Sequence, residues 1–455
     1  MAEAVVTLPP VSRGRVRLGT GLLAFVWLLP FHIVVMAFLF GGLGVPGPVV
    51  RVLAAWKEAL IAVLVAATAL RLILGSGERT PIQWLDVAIF GLGLVSLIYL
   101  IGAGFWFGVE LPVGARLYGL RDAVYFSLLY FVGRATPDVV RHERVLKALF
   151  LVGVITSCIA VIERLVVTPQ MLVLLGAAEY FQDFLGATLF TADNPYGLPV
   201  NYWVMIGSRL VQRAGSTYLS SQGFAIPFLV IVPAATVWLV DKQRSTAAKL
   251  GYAVLWLGLL LSITRMTIVA CLLQALTIAA MRRRWEVVTT VGVAFAVAFG
   301  VGLVLVPGLA TYVWETLTWQ SASSLSHSDD WMEGIGNALR YPFGAGLGVA
   351  DQTAVRFALD PLAGDNQYLK YAVEMGILGV GLHLATMGGA VVAGIRGAQA
   401  GRGVTGDYGI VVAATALGIL FNAITAVVFN SMMLTYVFFW LLGSLVTARL
   451  ADERP

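Results

Sequence analysis

The chain has 455 residues, of which 59% are hydrophobic and 12% are charged, and its mean hydropathy is +0.86. This composition leaves too little polar surface to cover a soluble globule, so it excludes soluble enzymes and predicts a polytopic membrane protein. The net charge of +5 would suit nucleic acid, but the basic residues lie in short clusters between apolar runs, as in cytoplasmic loops. Cys158 and Cys271 both lie inside apolar runs, which argues against a disulfide framework.

Apolar runs long enough to be considered as membrane spans occur along most of the chain. They lie at 18–40, 48–73, 83–104, 116–133, 146–166, 216–240, 249–281, 287–308, 367–394, 407–427 and 430–448. The first run has no cleavage site of small residues after a short apolar core, so we interpret it as a retained helix rather than a signal peptide.

The run at 249–281 is too long for one span, because about 33 residues at 1.5 Å each exceed a hydrocarbon core of about 30 Å. Basic segments flank it, at 241–249 and at 282–284, and both predict a cytoplasmic location. An even number of crossings must then separate them. We therefore predict a break near 262–265 on the outer side, with one long tilted or half-inserted hairpin as the alternative.

The fold class predicted from these runs is an all-α membrane protein with about twelve transmembrane helices and both termini in the cytoplasm. Residues 1–308 would hold helices 1–9, with an external segment at 167–215. Residues 309–366 would form a large external loop between helices 9 and 10. Residues 367–455 would hold helices 10–12.

Charged residues near the predicted outer ends of the spans suggest a functional cavity, because ionisable groups at membrane depth are costly unless they pair or line a wet cavity. They are Lys57, Glu58, Arg121, Asp122, Glu163, Arg164, Arg213, Arg265, Lys370 and Glu374. Any single one is equally well explained by snorkelling or a structural ion pair. The set predicts a shared outward cavity, and its arginines favour an anionic ligand such as a pyrophosphate. His383, toward the predicted inner end of its span, is interpreted as a packed or cytoplasm-facing histidine.

Sequence motifs for a metal or nucleotide are not found, since the chain has no Walker loop, no GxGxxG after a strand, no HExxH and no CxxC. We therefore expect no cofactor. The glycines at Gly344, Gly346 and Gly348 follow no strand and favour a tight turn that approaches the membrane over a phosphate loop.

Four motifs occur in a fixed order along the chain. They are Trp56-Lys57-Glu58, Arg213-Ala-Gly215-Ser216-Thr217, Ser262-Ile-Thr264-Arg265, and Asn337-Ala-Leu-Arg340-Tyr-Pro342-Phe-Gly344-Ala-Gly346-Leu-Gly348 followed by Asp365-Asn366-Gln367-Tyr368-Leu369 and Glu374-Met-Gly376. In this order the chain resembles the O-antigen ligase and polymerase superfamily of bacterial membrane glycosyltransferases. Ser221-Gln222 departs from the Pro-Asn that often follows the second motif. Asp365 stands where ligases of the family carry His, so the resemblance favours a polymerase or exopolysaccharide branch over a lipid A core ligase.

The resemblance implies a GT-C-like fold and a reaction at the outer face of the bacterial cytoplasmic (inner) membrane. A glycan would pass from an undecaprenyl-pyrophosphate carrier to a sugar hydroxyl of a glycan or glycolipid acceptor. Other polysaccharide-assembly proteins are implied as partners, and nucleic acid is not. The alternatives are an O-antigen ligase proper, a lipid-glycan flippase or secondary transporter, and a non-catalytic scaffold or sensor subunit. A transporter should show matching broken helices in two halves and charges near the midplane.

The resemblance also assigns roles to residues. Asp365 is the expected base, and Arg213 and Arg265 are expected to hold the pyrophosphate and stabilise charge as the bond breaks. The other expected substrate-binding residues are Lys57, Glu58, Arg121, Arg340, Asn366, Tyr368, Lys370 and Glu374. Without the resemblance, Asp365 and Asn366 would be interpreted as the N-cap of the tenth span.

Overall fold

The computed structural model describes most of the chain, apart from both ends and several internal segments. It covers residues 13–74, 80–106, 111–186, 196–206, 209–240, 244–285, 307–400 and 403–452, with short pieces at 292–293, 295–297, 299–300 and 303–304. The structure is 79% helical, which confirms an all-α membrane class. Most of the predicted ninth span, 287–308, and both chain ends lie outside the described residues.

Seven helices among the described residues are long and apolar enough to cross a membrane. They are Leu18–Gly42, Trp84–Gly102, Arg144–Val166, Ser221–Val240, Gln367–Ala400, Val404–Asn422 and Met432–Asp452. Each coincides with a predicted apolar run, so the multi-pass class is confirmed. The number of twelve spans stays a prediction.

Ten α-helices lie in the described residues of the first half of the chain. These are α1 (Arg13–Ala37), α2 (Gly47–Ala54), α3 (Trp56–Ile73), α4 (Trp84–Trp106), α5 (Val113–Arg134), α6 (Arg144–Val166), α7 (Pro169–Leu174), α8 (Ala177–Glu179), α9 (Ser221–Ala225) and α10 (Phe228–Val240). A π-helical turn, Phe38–Gly42, extends α1. The predicted second run is interrupted at Ala55, between α2 and α3.

The predicted external segment 167–215 contains a β-hairpin, which the all-helical prediction did not include. Strands β1 (Trp203–Ile206) and β2 (Arg209–Gln212) pair antiparallel, with Trp203 opposite Gln212. A satellite hydrophobic cluster around Met36, Leu172 and Tyr202 joins this segment to the end of α1. Apolar burial therefore anchors the segment to the predicted outer end of the helices.

Eight further α-helices lie in the described residues of the second half of the chain, apart from the short helical pieces between 292 and 304. These are α11 (Thr246–Leu261), α12 (Arg265–Met281), α13 (Leu309–Leu317), α14 (Ala322–Arg340), α15 (Asp351–Arg356), α16 (Gln367–Ala400), α17 (Val404–Asn422) and α18 (Met432–Asp452). The predicted break in the run 249–281 is confirmed, because α11 ends at Leu261 and α12 begins at Arg265. The number of membrane crossings on either side of this break stays a prediction.

Helix α18 lies at the centre of the bundle, and 94% of its apolar 18-residue stretch is buried. It packs most extensively on α5, and glycines permit the contact. A Cβ at Gly443 would lie 2.1 Å from the Tyr130 carbonyl oxygen, and one at Gly133 would lie 2.2 Å from that of Trp440. Trp440 Nε1 also donates to Thr136 Oγ1 at 2.8 Å.

Candidate functional site

Arg213 and Arg265, which are 52 positions apart in the chain, come together at the turn between α11 and α12. Arg213 donates from Nε to the Ser262 carbonyl at 2.8 Å and from Nη2 to Thr264 Oγ1 at 2.9 Å. Arg265 begins α12 directly after Thr264. Arg213 and Arg265 therefore lie at the same turn, and the predicted cavity that they would share stays a prediction.

A buried carboxylate holds the segment that carries Arg213. Glu163, near the end of α6 and 4% exposed, accepts from Gly215 N at 3.1 Å and from Ser216 N at 2.5 Å. Gly215 is needed there because a Cβ would lie 2.5 Å from the Tyr202 hydroxyl. The sequence analysis assigned Glu163 and Arg213 to the same predicted cavity, but the two residues have different roles. Glu163 positions the backbone next to Arg213.

Arg265 joins this turn to the predicted external loop. Its Nη1 donates to Thr316 Oγ1 at 2.8 Å and to Ser321 Oγ at 3.3 Å. Its guanidinium also lies 5.5 Å from the centroid of the Tyr312 ring. Contacts from α13 and the start of α14 therefore orient this arginine.

The two guanidinium groups repel each other electrostatically. Burial, together with the positive charge of Arg265, lowers the pKa of Arg213, although Tyr312 offsets part of the effect. An anion bound between the arginines would relieve this repulsion and accept charge-assisted hydrogen bonds. The arrangement is suited to a phosphate or pyrophosphate group.

Asp365 lies half-buried, two residues before α16 begins. Burial raises the pKa of this carboxyl from 3.8 to about 6, and the negative charges of Asp351 and Asp330 add to the shift. A carboxylate with a pKa near the working pH is suited to proton transfer. The expected role of Asp365 as the base stays a prediction.

Asn366, rather than Asp365, caps helix α16. Its Oδ1 accepts from Tyr368 N at 2.9 Å and from Leu369 N at 3.0 Å, and its Nδ2 donates to the Ile424 carbonyl at 2.9 Å. Tyr368 donates from its hydroxyl to the Leu420 carbonyl at 2.6 Å. Both side chains fasten α16 to the end of α17, and their expected binding of an acceptor stays a prediction.

Lys370 and Glu374 belong to a buried ionic cluster. Lys370 Nζ pairs with Asp351 Oδ2 and lies 3.8 Å from Glu374 Oε1, and all three side chains are less than 5% exposed. Glu374 Oε1 accepts from Gly348 N at 2.9 Å. Breaking such a cluster at one member typically costs about 3–5 kcal/mol, because the remaining charges stay buried. These residues hold the predicted external loop onto α16.

The glycine segment 342–348 fills a break in α16. Gly376 has φ 65° and ψ −159°, which interrupts the helical hydrogen bonds. Backbone groups of the segment replace them: Ala345 N donates to Val373 O at 2.7 Å, Gly346 N to Glu374 O at 3.1 Å, and Pro342 O accepts from Ile377 N at 3.1 Å. Unsatisfied backbone groups are costly at membrane depth, so the segment completes the helix.

Four predicted residues on α3 and α5 form a second charged group, namely Lys57, Glu58, Arg121 and Asp122. Lys57 lies 3.3 Å from Glu58 and 3.5 Å from His32 Nε2, and Arg121 pairs with Asp122 at 3.0 Å. Arg121 acts electrostatically on both Lys57 and His32, and Asp122 acts on Lys370. This group is thus linked to the ionic cluster on α16. His32, inside the first apolar run, was missed by sequence reasoning.

Two further features lie apart from the arginines. Arg340, at the end of α14, is exposed and lies 5.5 Å from the Tyr341 ring centroid. A cavity of about 450 Å³ lies near the end of α12, where Arg282 pairs with Asp407. Helix α12 rises about 24 Å from Arg265 to Met281, so this cavity is at the opposite end of the helix from the arginine pair.

Comparisons with known proteins leave the family open. No protein-family model matches the chain, and a search of curated proteins finds no significant match. The resemblance described from the motifs therefore stays a prediction, and the chemistry of the site must be argued from its geometry.

Proposed function

We propose that the protein is a membrane glycosyltransferase that moves a glycan from a polyprenyl-pyrophosphate carrier to a sugar hydroxyl at the outer face of the bacterial cytoplasmic membrane. The observation that carries the proposal is the pairing of Arg213 and Arg265 at one turn. Two half-buried, mutually repelling guanidinium groups favour a ligand with at least two negative charges, as a pyrophosphate has.

The proposed reaction assigns a different task to each charged group. The arginines would hold the pyrophosphate and stabilise the charge that develops as the glycosyl bond breaks. Asp365 would take the proton of the attacking hydroxyl as the new glycosidic bond forms. The raised pKa of Asp365 supports this role, because it brings the proton affinity of the carboxylate closer to that of the attacking hydroxyl. A carboxylate as the base also fits the polymerase branch of the family that the motifs resemble better than the ligase branch, which has histidine there.

Conservative substitution of the arginines tests the anion site. Because lysine has no bidentate fork, Arg213→Lys and Arg265→Lys should lose most transfer from a polyprenyl-pyrophosphate-linked oligosaccharide, and alanine should be worse. Transfer is measured with purified protein in nanodiscs. Arg144→Lys, at an exposed arginine at the start of α6, is the matched control and should retain full activity. Normal turnover in both lysine variants would refute the pyrophosphate site.

A lipid-glycan flippase or transporter is the second candidate, and the broken helix at Gly376 is one of the two matching breaks that it requires. It predicts movement of fluorescent lipid-linked glycan across proteoliposomes without formation of a new glycosidic bond. Product analysis of the same samples separates the two functions.

A further inference from the structure

Three aromatic rings form a continuous surface beside the arginine pair. The Trp319 and Trp331 ring centroids are 5.7 Å apart, and those of Trp331 and His327 are 6.5 Å apart. His327 and Trp331 are four residues apart on α14, so both project from the same face of this helix. We call these three residues the aromatic surface.

Two polar atoms of the aromatic surface lack protein partners among the described residues. Within the described part of the chain, Trp331 Nε1 and His327 Nδ1 are buried without a hydrogen-bond partner. Buried donors and acceptors are normally satisfied, so such a pair calls for an explanation. Burial lowers the pKa of His327, with Asp330 opposing and Arg265 adding to the effect, so the imidazole is neutral at pH 7. A neutral imidazole and an indole N–H supply both acceptor and donor capacity.

Backbone strain helps to place Trp319 in this surface. Its φ is +61°, a conformation that bulky residues rarely adopt. Its Nε1 donates to Ser328 Oγ at 2.6 Å, while the side chain remains 43% exposed. Strain of this kind persists where the surrounding structure requires it and often marks a ligand site.

We propose that the aromatic surface of Trp319, Trp331 and His327 binds a sugar ring of the acceptor glycan. A pyranose has an apolar C–H face that packs on an aromatic ring, and hydroxyls at its edge that exchange hydrogen bonds with donors and acceptors. Arg265 of the anion site donates to Ser321 Oγ at 3.3 Å, two residues after Trp319, which places the surface close to this arginine. The acceptor assignment rests on the proposed function, whereas binding of a sugar does not.

The test uses full-length protein in nanodiscs and phosphate-free oligosaccharides released by mild acid from the surface polysaccharide of the source organism. Saturation-transfer NMR measures binding up to millimolar concentrations. Trp331→Phe keeps the ring but removes the N–H, and should weaken binding about threefold to tenfold. Trp319→Ala should weaken it further. Trp314→Phe, on an exposed tryptophan of α13, is the matched control and should bind as the unmodified protein does.

The outcomes separate this proposal from the proposed function. No saturation transfer to any of these oligosaccharides, or equal binding by Trp331→Phe and the unmodified protein, would overturn the sugar site. Arg213→Lys should keep sugar binding while losing transfer. If sugar binding depends on Trp331 but transfer does not depend on the arginines, the sugar site stands and the pyrophosphate role falls.

Discussion

Asp365 combines a half-buried position with two neighbouring carboxylates, and this combination gives a testable pH dependence. If it is the base, transfer should require its ionised form and fall as pH drops below about 6. Asp365→Asn should reduce transfer by roughly 100-fold or more at pH 7.5, because an amide accepts no proton. Initial rates with a lipid-linked donor between pH 5 and 8.5 measure both effects. Asp365→His should recover part of the activity.

Stability separates the chemical role of Asp365 from a structural one. A carboxyl whose pKa is raised on folding stabilises the fold most below its ordinary value of 3.8, and this contribution is lost as pH rises through about 6. Asp365→Asn should therefore melt higher than the unmodified protein at pH 7.5 and close to it near pH 4. Asp360→Asn, at an exposed aspartate of the same segment, should change neither melting nor activity. Normal turnover by Asp365→Asn would remove this residue from the mechanism.

Single residues show where sequence reasoning reached its limit. Arg213, Arg265 and Asp365 could be selected as candidate site residues from the sequence, because ionisable groups near the membrane are costly and because the motifs that contain them have a recognisable order. The partner of Lys370 was not predictable. Asp351 lies 19 positions earlier, and only the folded glycine segment brings its carboxylate to the lysine. Trp319, Trp331 and His327 also gave no signal, since they occur in a polar helix and an ordinary loop.

The packing of the glycine segment 342–348 on α5 gives a prediction for stability. Gly348 has φ +85°, and a Cβ there would lie 2.3 Å from the Ala115 carbonyl oxygen. Gly348→Ala should therefore separate the segment from α5 and destabilise the protein by more than about 1–3 kcal/mol, since strain and overpacking both contribute. Thermal unfolding in detergent measures the change.

Gly336 provides the control for this prediction. It lies inside α14, and no atom is within 4 Å of the place that an added Cβ would take, so Gly336→Ala should leave melting unchanged or raise it. Equal melting temperatures for Gly348→Ala and the unmodified protein would show that the segment is not packed on α5. The tight turn was expected from the glycine pattern, but its role in completing α16 depends on Gly376, 28 positions later.

The topology of the whole molecule rests on the distribution of arginines and lysines. We predict that Arg282 to Arg284 face the cytoplasm and that Asp330 and Asp365 face outward. In a variant with Cys158 and Cys271 replaced, Asp329→Cys should react with an impermeant maleimide in intact cells, and Arg283→Cys should react only after lysis. Both positions are exposed in the structure. Labelling of Arg283→Cys from outside would refute two crossings in the run 249–281.

The segment that fills the break in α16 precedes that helix in the chain, and this order matters for biosynthesis. A ribosome releases residues 342–348 before 373–377, so in the predicted topology the loop would already be across the membrane when the broken helix enters it. The backbone groups at the break can then replace their hydrogen bonds to water or the translocon with hydrogen bonds to the loop, so that no carbonyl is left without a partner in lipid. A circularly permuted chain that began at α16 would reverse this order and expose the break to lipid until the loop arrived.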